Sequence, residues 1–570
     1  MRYGQPATVW GLHQVEHEQC VADSQLGDRR NLARSLAAHP GTPDVALITK
    51  AFRKWGKQAP ARFVGPFSVA FADPRTSSIY LARDHMGQRP LFYALLRDKI
   101  VISLDIEAVL AHPDVTDDVD LEAVAFQFAR CYRPMLRRSM FTKIAKVAPG
   151  TVLRIAGGTV SEYRYWRPEE IEPVAARPIG EHAQELRELL EIAVSDSIGT
   201  HRGVAAHVSG GLDSSAVAVF GSAVLRAKHG CDLRSVYSWA PPPTGSRYPW
   251  QSTNPDLDER RLVELVSAAQ GWTVTYADPG GDMGLAHAAA NPLIRPDMAW
   301  LREEWVVRHA RTVGASLVLS GWGGDEAVSY GGALTLPSLL RAGALSTAVS
   351  HVRHGSGQSW PSAQLELIRG AAKTWPHVER IARTLTRTPA NAYHDNQERI
   401  EALWRDQWPS VAEEMRDQRM YQYAAKSPRE WQLRMLSAGH VTMRNEAWAK
   451  GSSRFSVEHR FPLQDPRVLQ LALGVPATCY RSNSWSRIMF RLATQHALPP
   501  EVVWRRLKSN DPSMLRQSAD LRAIQDNITV ATSPEIATLV GLRKQAGEEL
   551  VEAGQRFNEA RSRQIRAFRR

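Results

Sequence analysis

Apolar residues alternate or run in short blocks through the first 165 or so residues. Phe67 to Phe71, Ile79 to Ala82 and Ile100 to Ser103 each read as a strand, bounded by turn residues such as Asp73-Pro74. This spacing predicts a β-rich layered domain. From Trp166 to Gly180 the chain becomes rich in proline and acid, and Ala183 to Ile198 then takes up helical apolar spacing. A boundary is expected there, dividing the chain into units 1–168 and 169–570. Past it, strand and helix signals alternate: Val204 to Val208, a helix from Ser214, Ser235 to Trp239, a helix over Asp256 to Gln270, Thr273 to Tyr276, and Ser316 to Leu319. That alternation is the signature of a parallel sheet in an α/β fold. Apolar spacing over Asn396 to Lys450 predicts long helix, and the remainder, including Ala519 to Arg570, also reads mainly as helix.

Chemistry concentrates where two of these strands end. The run Val204 to Val208 delivers Ser209, Gly210, Gly211, Leu212, Asp213, Ser214 and Ser215 to the start of a helix. Two glycines and hydroxyl side chains at a helix N-terminus gather unpaired backbone N–H groups around one point, which attracts phosphate. Asp213 beside such phosphates is unfavourable unless a divalent cation lies between them, so magnesium is implied with the nucleotide. The ordinary alternative is a strand-turn-helix corner with a serine cap. A second apolar run, Ser316 to Leu319, ends in Ser320, Gly321, Trp322, Gly323, Gly324, Asp325 and Glu326, again an acid behind a glycine turn. Ligands of open parallel sheets bind beyond the carboxyl ends of the strands, so Asp213 and Asp325 are expected to meet across one crevice and share the metal. The loop Pro241 to Pro255, with Tyr248 and Trp250, is placed to touch substrate, and reads equally well as a solvent loop.

Bulk properties narrow the class. A chain of 570 residues exceeds one hydrophobic core, and 43% hydrophobic with 23% charged residues is ordinary for a globular protein. No apolar run approaches the roughly 18 residues that would span a bilayer. The stretch Met1 to Cys20 has no basic start followed by an apolar core, so no secretory signal and a cytoplasmic location are expected. Cys20, Cys131, Cys231 and Cys479 lie far apart, which argues against structural zinc and a disulfide scaffold and for buried thiols. The net charge of +12 is dispersed except for Arg561, Arg563, Arg566, Arg569 and Arg570, which read as a solvated terminal helix. No nucleic-acid module is visible, and neither nucleic acid nor membrane is an expected partner.

These motifs resemble the asparagine synthetase superfamily. SGGLDSS is similar to its pyrophosphate-binding (PP-loop) turn and SGWGGDE to its second metal-binding turn. Ser456 to Asp465, read as SVEHRFPLQD, and Leu498 to Lys508 resemble its later segments, the last carrying a catalytic lysine. Trp55-Gly56, Gly65 to Ser68, Ala82 to Asp84 and Gly87 to Tyr93 resemble its glutamine-hydrolysing domain. The resemblance therefore implies an N-terminal glutaminase-like αββα sandwich, then a parallel-sheet ATP pyrophosphatase domain with a largely helical C-terminal part. Two departures redirect the chemistry. Glutamine hydrolysis needs a cysteine at the mature terminus, and here Met1 is followed by Arg2, so no ammonia from glutamine is expected. Trp322 stands where asparagine synthetases carry a glutamate, and an indole cannot accept a substrate ammonium. Among relatives without the cysteine, the motif and length look most like lasso peptide cyclases.

What the resemblance implies is an ATP-dependent carbon–nitrogen ligase. ATP and Mg2+ would sit over Val208, Ser209, Gly210, Gly211, Asp213, Ser214 and Ser215, with Ser238, Glu259, Ser320, Gly321, Trp322 and Arg487 around them and Asp213 and Asp325 on the metal. Lys508, Glu458 and the reserve Lys450 are the catalytic candidates. Each has an ordinary reading as an exposed lysine or a structural ion pair, such as Glu458 with Arg460. Arg487 and Arg491, one helical turn apart, could both reach phosphate or simply form a solvated face. His207, mid-strand among apolar residues, reads as a satisfied core histidine. The expected substrate is a precursor peptide whose Asp or Glu side chain is adenylated and then attacked by the peptide's own amino terminus, closing a macrolactam. A leader peptidase and a leader-binding protein are the expected pathway partners. A β-lactam synthetase-like cyclase of a small molecule and an ammonia-dependent asparagine synthetase-like enzyme share every motif.

Overall fold

The computed structural model describes residues 10–15, 18–244, 258–277, 299–353, 398–423, 425–482, 485–505, 538, 539 and 545. Its first half is built on strands β1 (Trp10–Val15), β2 (Glu18–Ser24), β3 (Phe67–Asp73), β4 (Ser78–Arg83), β5 (Phe92–Leu95), β6 (Ile100–Ser103), β7 (Ala145–Lys146), β8 (Thr151–Ala156) and β9 (Thr159–Arg164). Six of them form an antiparallel sheet in the order β1-β2-β3-β4-β8-β9, and the other three a second sheet, β6-β5-β7. Period-two alternation explains the layering, because it gives each strand two apolar faces to spend. Phe67, Val69 and Phe71 of β3 pack with Leu47, Ile48 and Phe52 of the helix Asp44–Trp55. Leu81, Leu153 and Ile155 face the opposite way, onto Leu91 and Val147 and the second sheet. The outer face of that sheet, through Phe92 and Ala94, meets the helices Ile106–Leu110 and Leu121–Phe128. The result is the expected αββα sandwich.

The helix Ile179–Ile198 follows, its buried residues Ala183, Leu186, Leu190, Ala193, Val194 and Ile198 recurring every three or four positions on one face. Then come β10 (Val204–His207), β11 (Val236–Ser238), β12 (Val274–Tyr276), β13 (Leu317–Leu319) and β14 (Glu458–Arg460), all parallel in the order β12-β11-β10-β13-β14. The chain moves outward from β10 to β12, then returns to β13 on the other side of β10. This reversal opens a crevice between β10 and β13, the two strands that carry the glycine loops. No described helix is long and apolar enough to cross a membrane.

The helical stretch expected over Asn396 to Lys450 is several helices, among them Pro409–Tyr423, Pro428–Ser437 and His440–Ser453. Proline explains two of the starts. It has no N–H to lose in a first turn, and Ser427 caps the second of these helices by accepting from Glu430 N–H. Gly439, at φ 87°, makes the next turn possible. Three of the four cysteines are buried, but Cys231 is half-buried, because it follows the left-handed Gly230 that ends the helix Leu212–His229. Tyr248, Trp250, Arg506, Lys508, almost all of Ala519 to Arg570 and the terminal arginine cluster lie outside the described residues.

Candidate active site

The loop after β10 is ordered by its own hydroxyls. Ser209 N–H donates to Ser214 Oγ at 3.0 Å, Gly211 N–H donates to Ser209 Oγ at 3.1 Å, and Ser215 Oγ–H donates to Ser209 O at 2.7 Å. These bonds fold the backbone around the start of the helix Leu212–His229. The second turn lies directly on the first: a Cβ on Gly321 would fall 2.5 Å from Ser214 N, and one on Gly324 2.7 Å from Asp213 Oδ1. Only glycine fits there.

Close packing of the turns brings the acids together. Arg487 reaches Asp213 Oδ2 with Nη1 at 3.2 Å and Asp325 Oδ1 with Nη2 at 2.5 Å, so the two carboxylates bracket one cationic group. Arg487 does not lie on a helix, as its spacing from Arg491 had implied; it precedes the helix Ile488–Thr494 with a left-handed φ of 58°. That bend aims it at the acids. Arg491 is not on a solvated face either. It is buried, donating through Nε to Ser486 O at 2.7 Å and through Nη2 to Arg505 O at 3.0 Å. Burial, and then the charge of Arg487, lower its pKa to about 10.

Around these groups opens a cavity of about 470 Å³. Of the residues expected to bind nucleotide or metal, Val208, Ser209, Gly210, Gly211, Asp213, Ser214, Glu259, Ser320, Gly321, Trp322, Asp325 and Arg487 line it. Ser215 and Ser238 do not: Ser215 is fully buried on Ser209 O, and Ser238 Oγ, at the end of β11, accepts from Ala240 N–H at 3.3 Å. Their strand and helix positions turn both hydroxyls into the protein.

Glu458 and Lys450 are not brought to this cavity. Both line a second one, of about 1150 Å³, between the sandwich and the parallel sheet. Alternation along β14 turns Glu458 and Arg460 away from the intervening His459, and Glu458 pairs with Arg460 and, at 3.1 Å, with Arg89 of the sandwich. Burial works against its charge, but Arg460 and Arg89 prevail and hold the carboxyl at about 2. Lys450 is captured by Asp105 and by Glu107, the latter at 2.8 Å. Both residues thus join the two halves of the chain. Lys508, the remaining catalytic candidate, lies outside the described residues, while nearby Arg505 donates to Gly210 O at 3.3 Å.

Several lining residues had no signal in the sequence. Arg444 and Trp448, four residues apart on the helix His440–Ser453, present one face to the cavity, and Tyr237 and Trp239 come from the end of β11. A spacing of four inside a helix looks the same whether the face is core or pocket. His207, Trp239 and Trp448 pack edge to face with centroids 5.7 to 5.8 Å apart, giving the cavity an aromatic wall. His207 is buried as expected, yet it lines the cavity, with Nε2 3.1 Å from Glu303 Oε2.

A glutaminase-like sandwich joined to a parallel sheet, with two glycine loops and two acids at the point where strand order reverses, defines a two-part α/β class whose crevice lies where open parallel sheets bind ligands. The asparagine synthase family model matches residues 185–568, and a glutamine amidotransferase domain model matches residues 28–166. The chain belongs to the asparagine synthase family. It is 25% identical over 201 residues to asparagine synthetase [glutamine-hydrolyzing] 3 of Bacillus subtilis, covering 35% of this chain and 32% of the relative. A putative asparagine synthetase [glutamine-hydrolyzing] of Mycobacterium bovis is 22% identical over 507 residues, 81% of this chain and 69% of that one. Amidase chyE of Penicillium rubens is 25% identical over 233 residues, 38% of this chain and 33% of the amidase. The first curated relatives are matched over only 28% to 36% of their own length.

Proposed function

We propose that this protein is an ATP-dependent carbon–nitrogen ligase that forms AMP and pyrophosphate, and that it closes a macrolactam within a precursor peptide. The observation that carries the ligase reading is the meeting of Asp213 and Asp325 on Arg487 above the hydroxyl-ordered loop. Two carboxylates offer the hard oxygen donors that magnesium takes, so Asp213 and Asp325 are the residues that would hold it. Bound there, Mg2+ neutralises phosphate charge. The protein's own groups do the rest: the backbone at Gly210 and Gly211 admits phosphate closely, Arg487 adds a cation, and the cavity aligns a substrate carboxylate with the α-phosphorus of ATP. The carboxylate displaces pyrophosphate, and an amine then displaces AMP from the acyl-adenylate, leaving an amide.

The cyclase reading rests on the aromatic side chains that line the same cavity. Trp322, Trp239 and Trp448 offer a broad aromatic surface beside the acids, and such surface suits a peptide and its side chains. The setting proposed is the cytoplasm, with a leader peptidase and a leader-binding protein preparing the peptide. The test supplies ATP, Mg2+ and candidate precursor peptides to the full chain. Pyrophosphate and AMP released in step with loss of one water from the peptide, and abolished by Asp213→Ala, support the proposal. Amidation of aspartate by ammonium, or ring closure in a small amino acid derivative without response to any peptide, would replace the cyclase reading with its alternatives.

A further inference from the structure

Beneath the aromatic wall three side chains from three elements converge: His207 at the end of β10, Glu303 of the helix Ala299–Thr312, and His459 in the middle of β14. Their ligating atoms all lie within 4.8 Å of one another. Glu303 Oε1 is 2.6 Å from His459 Nε2, and Glu303 Oε2 is 3.1 Å from His207 Nε2. The side chains are 0%, 1% and 11% exposed for Glu303, His459 and His207. Glu303 Oε2 and His207 Nε2 are both buried, and neither makes a hydrogen bond in this geometry. The buried carboxylate of Glu303 thus faces an imidazole nitrogen at each oxygen, three ligating side chains turned toward one point that a cation could share.

We propose that His207, Glu303 and His459 form a binding site for a divalent transition metal of the zinc class, separate from the magnesium site proposed at Asp213 and Asp325. Two imidazoles and one carboxylate are a borderline-soft donor set that suits zinc and its neighbours and not magnesium. Ser452 supplies the supporting contact such sites require. Its hydroxyl donates to Trp448 O and lies 2.8 Å from His459 Nδ1, so it accepts from Nδ1–H and leaves the Nε2 lone pair for the metal. Donors around a cation with bonds of about 2.1 Å lie no more than roughly 4.2 Å apart, so shifts of a few tenths of an ångström in the rings close the site. The metal would tie β10, β14 and the helix Ala299–Thr312 together. Because His207 lines the nucleotide cavity and His459 the second cavity, it would stand in the partition between them.

Metal content is read without turnover, so this proposal stands or falls separately from the ligase reading. The full chain, prepared from zinc-supplemented medium, is expected to carry about one zinc per chain, to lose melting temperature on chelation, and to regain it with Zn2+ but not with Mg2+. Replacement by Co2+ is expected to give visible absorption bands. Glu303→Gln, close to isosteric, and His459→Ala are each expected to weaken metal retention by more than about tenfold. A wild-type chain that purifies without metal and takes up neither Zn2+ nor Co2+ overturns the proposal. So does zinc retained undiminished by both variants, since it would then be bound elsewhere.

Discussion

The guanidinium carbon of Arg444 lies 3.7 Å from the centre of the Trp322 ring, at the edge of the cavity behind the two glycine loops. The indole that replaces the expected glutamate of the second turn is thus held beneath a cation, in a contact of about 1 to 2 kcal/mol when partly desolvated. Trp322→Ala removes one of the two rings under Arg444 and opens the wall. If the proposed substrate is a peptide, the expected result is a raised KM for it with a smaller change in KM for ATP, and Trp322→Phe should restore most of the loss. Steady-state pyrophosphate release against both substrates checks this.

Gly321 tests the packing of the two turns. An added methyl would meet Ser214 N at 2.5 Å and Asp213 C at 2.6 Å, both backbone atoms that cannot rotate away. Gly321→Ala should separate the turns and cost about 1 to 3 kcal/mol of stability, as overpacking does. Pyrophosphate formation should fall by more than about tenfold, because alignment of the acids and loop is lost. Calorimetry beside a turnover assay separates the two effects, and wild-type activity would show that the turns need not touch.

Replacing Asp213 or Asp325 by Asn removes one carboxylate from the pair on Arg487. Rates should drop by about a hundredfold or more, in line with losing one charge-stabilising group from a phosphoryl site. Each variant should also need more Mg2+ for half-maximal rate. An unchanged magnesium requirement would separate these acids from the metal.

Glu446 provides a pH signature of the joint between the two halves. Its carboxylate is buried, 2.8 Å from Arg83 Nη1 and 2.9 Å from Lys146 Nζ, both of the sandwich. Burial favours the neutral acid, but Lys146 and Arg83 outweigh it and hold the pKa below the ordinary carboxylate value of 4.5. A depressed folded-state pKa means stability fully present above the unfolded value and lost as pH falls below it through the folded value. Glu446→Gln should cost about 3 to 5 kcal/mol near neutral pH by leaving two buried cations without their counter-ion, with less difference from wild type under acid. Denaturant titrations at several pH values check both magnitude and slope.

Local pattern carried the scaffold. Period-two alternation marked β3, β4 and β6, three- and four-residue spacing marked the helix Ile179–Ile198, and the glycine and hydroxyl turns marked both loops. Such features arise from contacts between near neighbours in the chain, so they are written in consecutive residues. The pattern left alternatives open where one spacing serves two environments. Arg491, which could have reached phosphate or formed a solvated face, is buried at the cavity's edge, and Lys450 pairs with acids more than 340 residues away.

The sequence by itself determined the two-part architecture, the parallel sheet and the pair of acidic turns, because propensity, periodicity and turn chemistry act over short stretches. Only the tertiary structure decided that Arg487, 274 residues after Asp213, binds both acids. It alone sent Glu458 and Lys450 to the joint between the halves and gathered His207, Glu303 and His459 under the cavity. Those choices depend on which distant strands lie side by side, and the free energy that selects them comes from burying the sheet's two faces as a whole.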